Sequence, residues 1–360
     1  MIARALLLVS GVAMLTLPAA AQTSRHVLKG DSVAIYNLVG ELRVEAGSGS
    51  DVVVEIQRAG ADAAKLDVQT GPIRGRETLR VIYPDDLIIM PDGGPGRGWN
   101  TTLRVRDDGT FGDDRGDHRR SWYGEGHEVR ITGRRHGGDG LEASADLRVM
   151  VPAGKNLALN LGVGKAFVTN VAGTIRVSVA SADVSTDRTK GTLHVATGSG
   201  NVDLRSASGD VSLATGSGDI TASGIDGSVL RLETGSGSIT LSDGKAATIH
   251  AETGSGNIEA TGASGDDVSF ETGSGDVDVA LIATFRSVHI ETGSGDVTLK
   301  VPPTTGAEVD IDTGSGDIDL GGLTLQVRRI SHDHVAGTLG DGKGRVSVET
   351  GSGNVHLQKL

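Results

Sequence analysis

With no cysteine in the chain, carboxylates and histidines carry whatever chemistry the sequence can offer. Asp312-Thr313-Gly314-Ser315, preceded by Ile311, reproduces the Asp-Thr-Gly-Ser signature of aspartic proteases. That reaction needs two such carboxylates facing each other and sharing a proton. The equivalent positions elsewhere in the chain hold Glu or Ala, so Asp312 reads as one member of a column. Asp276 with Asp278, and Asp317 with Asp319, place two pairs of carboxylates on one outward strand face. A glycan-cleaving enzyme would use such a pair as acid and base, in two environments that separate their pKa values. Here one environment repeats, and the repeat region offers only Phe270 and Phe285 as aromatic platforms for a sugar. A glycan-acting β-helix enzyme therefore stays the alternative reading.

Glu233, Glu252, Glu271, Glu291, Asp312 and Glu349 recur at a single outward position. Stacked about 5 Å apart, neighbouring charges repel by about 1 kcal/mol in water and about 3 kcal/mol at an effective dielectric of 20. Calcium would relieve that repulsion, since hard cations prefer carboxylate oxygens. The nine-residue calcium-binding repeat is missing, however, and Arg231, His250 and His289 stand in the adjacent column. A solvated acidic face without a cofactor is the plain reading, and a calcium ladder is the alternative. His332-Asp333-His334 offers two ligands at i and i+2 but no third, and reads as a replaced turn. No phosphate-binding Gly-Lys-Ser/Thr loop is present, and no Gly-x-Ser-x-Gly lies between a strand and a helix. The remaining cluster is aromatic and basic: Trp99, Phe111, Arg119, Arg120, Trp122 and Tyr123, with Arg134 and Arg135 nearby. It reads either as a loop pinned down by its own aromatics or as a contact surface for a glycan, lipid headgroup or protein.

These residues are positioned by a repeat. Thr-Gly-Ser-Gly begins at Thr197, Thr215, Thr234, Thr253, Thr272, Thr292, Thr313 and Thr350. The starts lie 18, 19, 19, 19, 20, 21 and 37 residues apart, the last gap being about two repeats long. Such a period marks a repeat architecture. Four residues before each threonine, two before it and immediately after the turn, the side chains are apolar; those between are polar. Each repeat therefore holds two short strands with one buried face. A meander has no need to keep columns constant, whereas a solenoid stacks equivalent positions about 4.8 Å apart. The columns predict an all-β, right-handed parallel β-solenoid of about 19 residues per coil, right-handed because parallel crossovers nearly always are. In the turns, the two glycines are expected to supply positive φ, and Thr, Ser and the following Asp or Asn to bond nearby backbone.

The bulk numbers agree. The 360 residues include 55 glycines, but Phe, Tyr and Trp number only 4, 3 and 2, which suits a thin aliphatic core closed by tight turns. A net charge of −12 argues against nucleic acid. Residues 1–21 read as a signal peptide: Arg4, an apolar run from Ala5 to Leu17, then Ala19-Ala20-Ala21 before Gln22. That run is too short to span a bilayer, and no later segment is apolar for long enough. The mature chain is expected in the periplasm or outside the cell. Residues 22–83 read as an N-terminal β region, and Ala46 to Asp51 as a worn copy of the repeat. Residues 84–140 lose the period and read as a Gly- and charge-rich excursion, partly disordered; residues 141–360 are the solenoid.

Ala145 to Gly154, the Glu-Thr-Gly-Ser-Gly-Asp-Val repeats, and Gly337-Thr-Leu-Gly-Asp-Gly with Arg345-Val-Ser-Val-Glu-Thr-Gly-Ser-Gly-Asn-Val carry a resemblance. They resemble a bacterial domain-of-unknown-function family of β-strand-repeat proteins, to which the label adhesin is often attached. The likeness covers roughly residues 30–83 and 141–360 and leaves out the excursion. It implies an exported β-solenoid and brings no catalytic residues. The combined reading is an exported, non-enzymatic binding or scaffolding protein of the cell envelope, with a glycan or protein partner.

Overall fold

In the computed structural model, residues 22–93, 99–112, 126–133 and 140–360 are described. The fold is all-β, with no α-helix among those residues. From residue 155 to 301 the chain stacks parallel strands in register. Leu157 pairs with Ile175, Leu193 with Val211, Val211 with Leu230, Leu230 with Ile249, Ile249 with Val268, and Val268 with Val288. Each partner lies one repeat further along the chain, so the antiparallel meander is ruled out for this region. The predicted apolar columns face inward, from Leu193 to Val288 on one side of the turn and from Val202 to Val297 on the other. Each buried aliphatic side chain contributes about 1.5–3 kcal/mol, which suits a core built almost without aromatics.

The turn sequence follows from how closely successive rungs approach. Each motif threonine is buried and donates its hydroxyl across the stack. Thr215 donates to the Gly200 carbonyl at 3.0 Å, Thr234 to Gly218 at 2.9 Å and Thr253 to Gly237 at 2.8 Å. Only the second glycine has positive φ, from +134° at Gly200 to +155° at Gly316. This corrects the expectation that both glycines do. The first is glycine for space: a Cβ on Gly254 would lie 2.6 Å from the Gly235 carbonyl oxygen. After the turn, each Asp or Asn side chain accepts the backbone N–H of its equivalent in the next rung. Asn201 accepts from Asp219 at 2.9 Å, Asp219 from Ser238 at 2.8 Å and Asp276 from Asp296 at 2.9 Å.

At the N-terminal end, the strand Ser32–Ala46 forms a rung against Lys155–Thr169, with Gly40 opposite Gly164. The early copy of the repeat turn is therefore Asn37 to Glu41. Ala46 to Asp51, read as that copy, is instead the connection to the strand Val52–Ala59. Two strands parallel to the rung, with antiparallel strands outside them, close this end. Arg76–Ile82 covers the first half of the rung and carries Asp67–Ile73. Ser144–Val151 covers the second half, with Val52–Ala59 and then Gln22–Leu28 outside it. Tyr83 and Asn37 lock the corner: the buried phenol donates to Asn37 Oδ1 or the Val39 carbonyl, both at 2.9 Å.

The described residues of the excursion form strands, and its expected disorder falls on residues outside those described. Asn100–Val105, His127–Gly133, Leu87–Met90 and Leu141–Glu142 form a separate four-stranded sheet. Ile88, Leu103, Val105, Val129, Ile131 and Leu141 are its buried apolar residues. The short alternations Leu103-Arg104-Val105 and Val129-Arg130-Ile131 were a strand signal hidden among glycines and charges.

At the C-terminal end, chain order and spatial order part. Gly344–Thr350 and Val355–Lys359 lie between the rung holding Ser287–Thr292 and Val297–Val301 and the rung holding Ala307–Thr313 and Ile318–Asp319. The threonines confirm the order: Thr350 donates to the Gly295 carbonyl at 3.2 Å, and Thr313 to the Gly353 carbonyl at 3.0 Å. The 37-residue gap is thus not two repeats. Leu325–Ile330 and His334–Leu339 form a hairpin laid antiparallel across Ala307–Thr313. His332-Asp333-His334 belongs to the tip of this hairpin, where the Ser331 N–H donates to the His334 carbonyl at 2.8 Å, and does not replace a repeat turn.

Candidate functional site

The carboxylates that could have been catalytic have protein partners. Asp276 Oδ1 accepts the Asp296 N–H, while Asp278 lies 3.4 Å from Lys300 Nζ. The Asp317 N–H donates to Asn354 Oδ1 at 3.0 Å, and Asp319 lies 3.7 Å from His356. Asp312 faces His334 Nδ1 at 3.1 Å, with no second motif aspartate opposite it. His332 turns to Asp317 at 3.6 Å, so the two histidines of the tip engage different carboxylates.

The acidic ladder forms in register as Glu233, Glu252, Glu271, Glu291, Glu349 and Asp312. Most members meet a partner two residues earlier on their own strand. Arg231 reaches Glu233 at 2.7 Å, His250 reaches Glu252 at 3.4 Å, Ser269 donates to Glu271 at 2.7 Å, and His289 lies 3.7 Å from Glu291. Asp312 obtains its partner from the hairpin instead, through His334. Among the described residues, no three His, Asp or Glu side chains gather as a metal site.

The aromatic cluster divides. Phe111 is fully buried and packs edge-on against Tyr36 at 5.7 Å, so it anchors the excursion and is not part of a contact surface. Arg119, Arg120, Trp122 and Tyr123 lie outside the described residues. Trp99 is half-buried and lines a cleft of about 620 Å³. The floor of the cleft is the turn corner of the first rungs: Gly40, Gly164, Ala182 and Gly200. Met90, Pro91, Asp92 and Trp99 form the opposite wall. Glu41, Asp146, Lys165 and Asp183 supply further charge. Burial pushes the Asp146 carboxyl above its ordinary range; the Glu41 N–H opposes this from 2.8 Å, while the charges of Glu41 and Asp92 add to it. Sequence reasoning picked out Trp99 but not the cleft, because Glu41, Asp146 and Asp183 lie more than one hundred residues apart in part and meet only through the stack.

Residues 162–358 match the family described as Toastrack DUF4097, more than half of the chain. The chain belongs to the Toastrack family. The matched span holds the repeat rungs and the C-terminal end, and omits the N-terminal cap and the wall of the cleft. The family is one of unknown function, and nothing in it indicates catalysis. No curated protein matches the chain. A solved structure titled “putative cell adhesion protein”, from Clostridium sporogenes, is 9% identical, with 94% of this chain and 100% of that one covered. Its TM-score of 0.22 is too low to bear on fold or function. Among the described residues, no helix is long and apolar enough to cross a membrane.

Proposed function

We propose that this Toastrack chain is an exported, non-enzymatic binding or scaffolding protein of the cell envelope. Its repeat would be a right-handed solenoid of about 19 residues per coil, a hand favoured by the general rule for parallel crossovers. The observation that carries the binding reading is the fate of the motif side chains. The threonines and the Asp/Asn ladder bond the backbone of neighbouring rungs, so the repeat holds the stack together and leaves its chemistry spent. What stays accessible includes a cleft at the end where the excursion crosses the corner. Export rests on residues 1–21, which carry the charge, apolar run and small-residue site of a signal peptide.

The test is retention of the tagged mature protein on an envelope fraction. Saturable retention, competed by untagged protein and weakened in Trp99→Ala, is expected; unsaturable or absent retention would overturn the reading. The stack is also proposed to need no cation, because most ladder carboxylates have a protein partner. The melting temperature should stay unchanged between millimolar calcium and excess chelator, and a rise with calcium would restore the calcium-stabilised alternative.

A further inference from the structure

We propose that the cleft lined by Trp99 receives a protonated organic amine, held between the indole and the carboxylates of Glu41, Asp92, Asp146 and Asp183. This deepens the binding reading above and rests on it.

Size and shape come first. About 620 Å³ lies within the range of small-ligand sites, which is about 300–1,000 Å³. The floor can admit a ligand because the corner column there is Gly40, Gly164, Ala182 and Gly200, so the ligand would lie almost on backbone. The wall is local. The same corner continues along the stack as Gly218, Gly237 and Gly256, but these line no part of the cleft. Only where Met90, Pro91, Asp92 and Trp99 face the corner does a trough become a cleft.

Charge then selects the ligand. Four carboxylates line the cleft against one ammonium, that of Lys165. Glu41 is bridged by Arg43, whose guanidinium also stacks 4.9 Å over Phe167. One oxygen of Asp146 takes the Glu41 N–H at 2.8 Å, and one oxygen of Asp183 takes the Asn201 N–H at 2.9 Å. The second oxygen of each has no hydrogen-bond partner among the described residues. An anion is excluded by this balance. A neutral polyol would leave the repulsion of Asp146 with Glu41 and Asp92 undischarged. A bare divalent metal finds no cluster of three ligating side chains among the described residues, and gains little from an indole. An alkylammonium satisfies both walls, donating to carboxylate oxygens while its charge and methylenes meet the face of Trp99. The amine can belong to a free diamine or to a lysine side chain of a protein.

Isothermal titration of the full mature chain tests this, using 1,5-diaminopentane, a lysine-containing peptide with blocked termini, and 1,5-pentanediol as the uncharged isostere. One saturable site for an amine is expected, with no binding of the diol. Affinity should fall at least tenfold in Asp146→Asn, which keeps an acceptor for the Glu41 N–H, and in Trp99→Ala, with partial recovery in Trp99→Phe. Saturation by both amines identifies the free ammonium as sufficient; saturation by the peptide alone identifies a protein-borne lysine. No saturable amine binding, equal binding of the diol, or unchanged affinity in Asp146→Asn would overturn the assignment. Envelope retention measured on the same Asp146→Asn protein separates the two readings. If amines fail to bind and retention persists, the cleft assignment falls and the envelope reading stands.

Discussion

Residue by residue, the turn motif is a set of solutions to close approach. Thr253 donates a buried hydroxyl to the Gly237 carbonyl at 2.8 Å, so Thr253→Val should cost about 1 kcal/mol in chemical denaturation. Gly254→Ala should cost more, about 2–3 kcal/mol, because its new Cβ would sit 2.6 Å from the Gly235 carbonyl oxygen. Gly49→Ala is the comparison: its φ of +90° disfavours a Cβ by about 1 kcal/mol, but no atom lies within 4 Å of one there, so its loss should be the smaller. Equal losses at Gly254 and Gly49 would contradict the spacing argument. Asp146 provides a pH prediction of known sign. Burial raises its carboxyl above the ordinary 3.8, so the folded state binds that proton more readily than the unfolded chain. Stability therefore declines as pH rises through the interval just above 3.8. Asp146→Asn should melt higher than the wild type at pH 7, and the difference should close as pH approaches 4. The spacing of the threonines made these corners legible from sequence. What could not be read was why each glycine is there, since φ and inter-rung distance are properties of the stack.

Among the elements, the repeat rungs were legible because inward and outward residues alternate without interruption. The two ends were not. At the N-terminal end, the true early turn at Asn37 to Glu41 has lost every motif residue but Gly40, while Ala46 to Asp51 keeps Gly-Ser-Gly and misleads. At the C-terminal end, a one-dimensional period cannot show that Gly344–Thr350 returns to lie between two earlier rungs. That insertion yields a sharp expectation. Ending the chain after Lys343 should bare the facing edges of Ser287–Thr292 and Ala307–Thr313 together. Nearest-neighbour stacking confines the damage. Hydrogen exchange should show lost protection from residue 287 onward and retained protection across 155–272. Uniform loss along the whole stack would mean that the rungs are not energetically separable.

For the molecule as a whole, both ends turn antiparallel. Gln22–Leu28, Val52–Ala59 and Asp67–Ile73 finish one end, and the Leu325–Leu339 hairpin finishes the other with the exposed arginines Arg328 and Arg329 on its outer strand. An open parallel rung would template another chain, whereas a short, charged, reversed strand does not. Replacing residues 323–341 with a flexible linker should convert a monomer in light scattering into concentration-dependent end-to-end oligomers; a variant that stays monomeric would show that the hairpin is not what stops growth. The lodged C-terminal segment has a different consequence, for how such a protein can change its length. A copy of one rung spliced in between residues 235 and 253 would lengthen the body by about 4.8 Å and leave both closures untouched. The same splice beyond residue 287 would part the tail from the pair of strands that grip it. Duplication is therefore tolerated in the middle and forbidden at the end, and lineages of this chain are expected to vary in rung number in the middle while keeping their last three rungs intact.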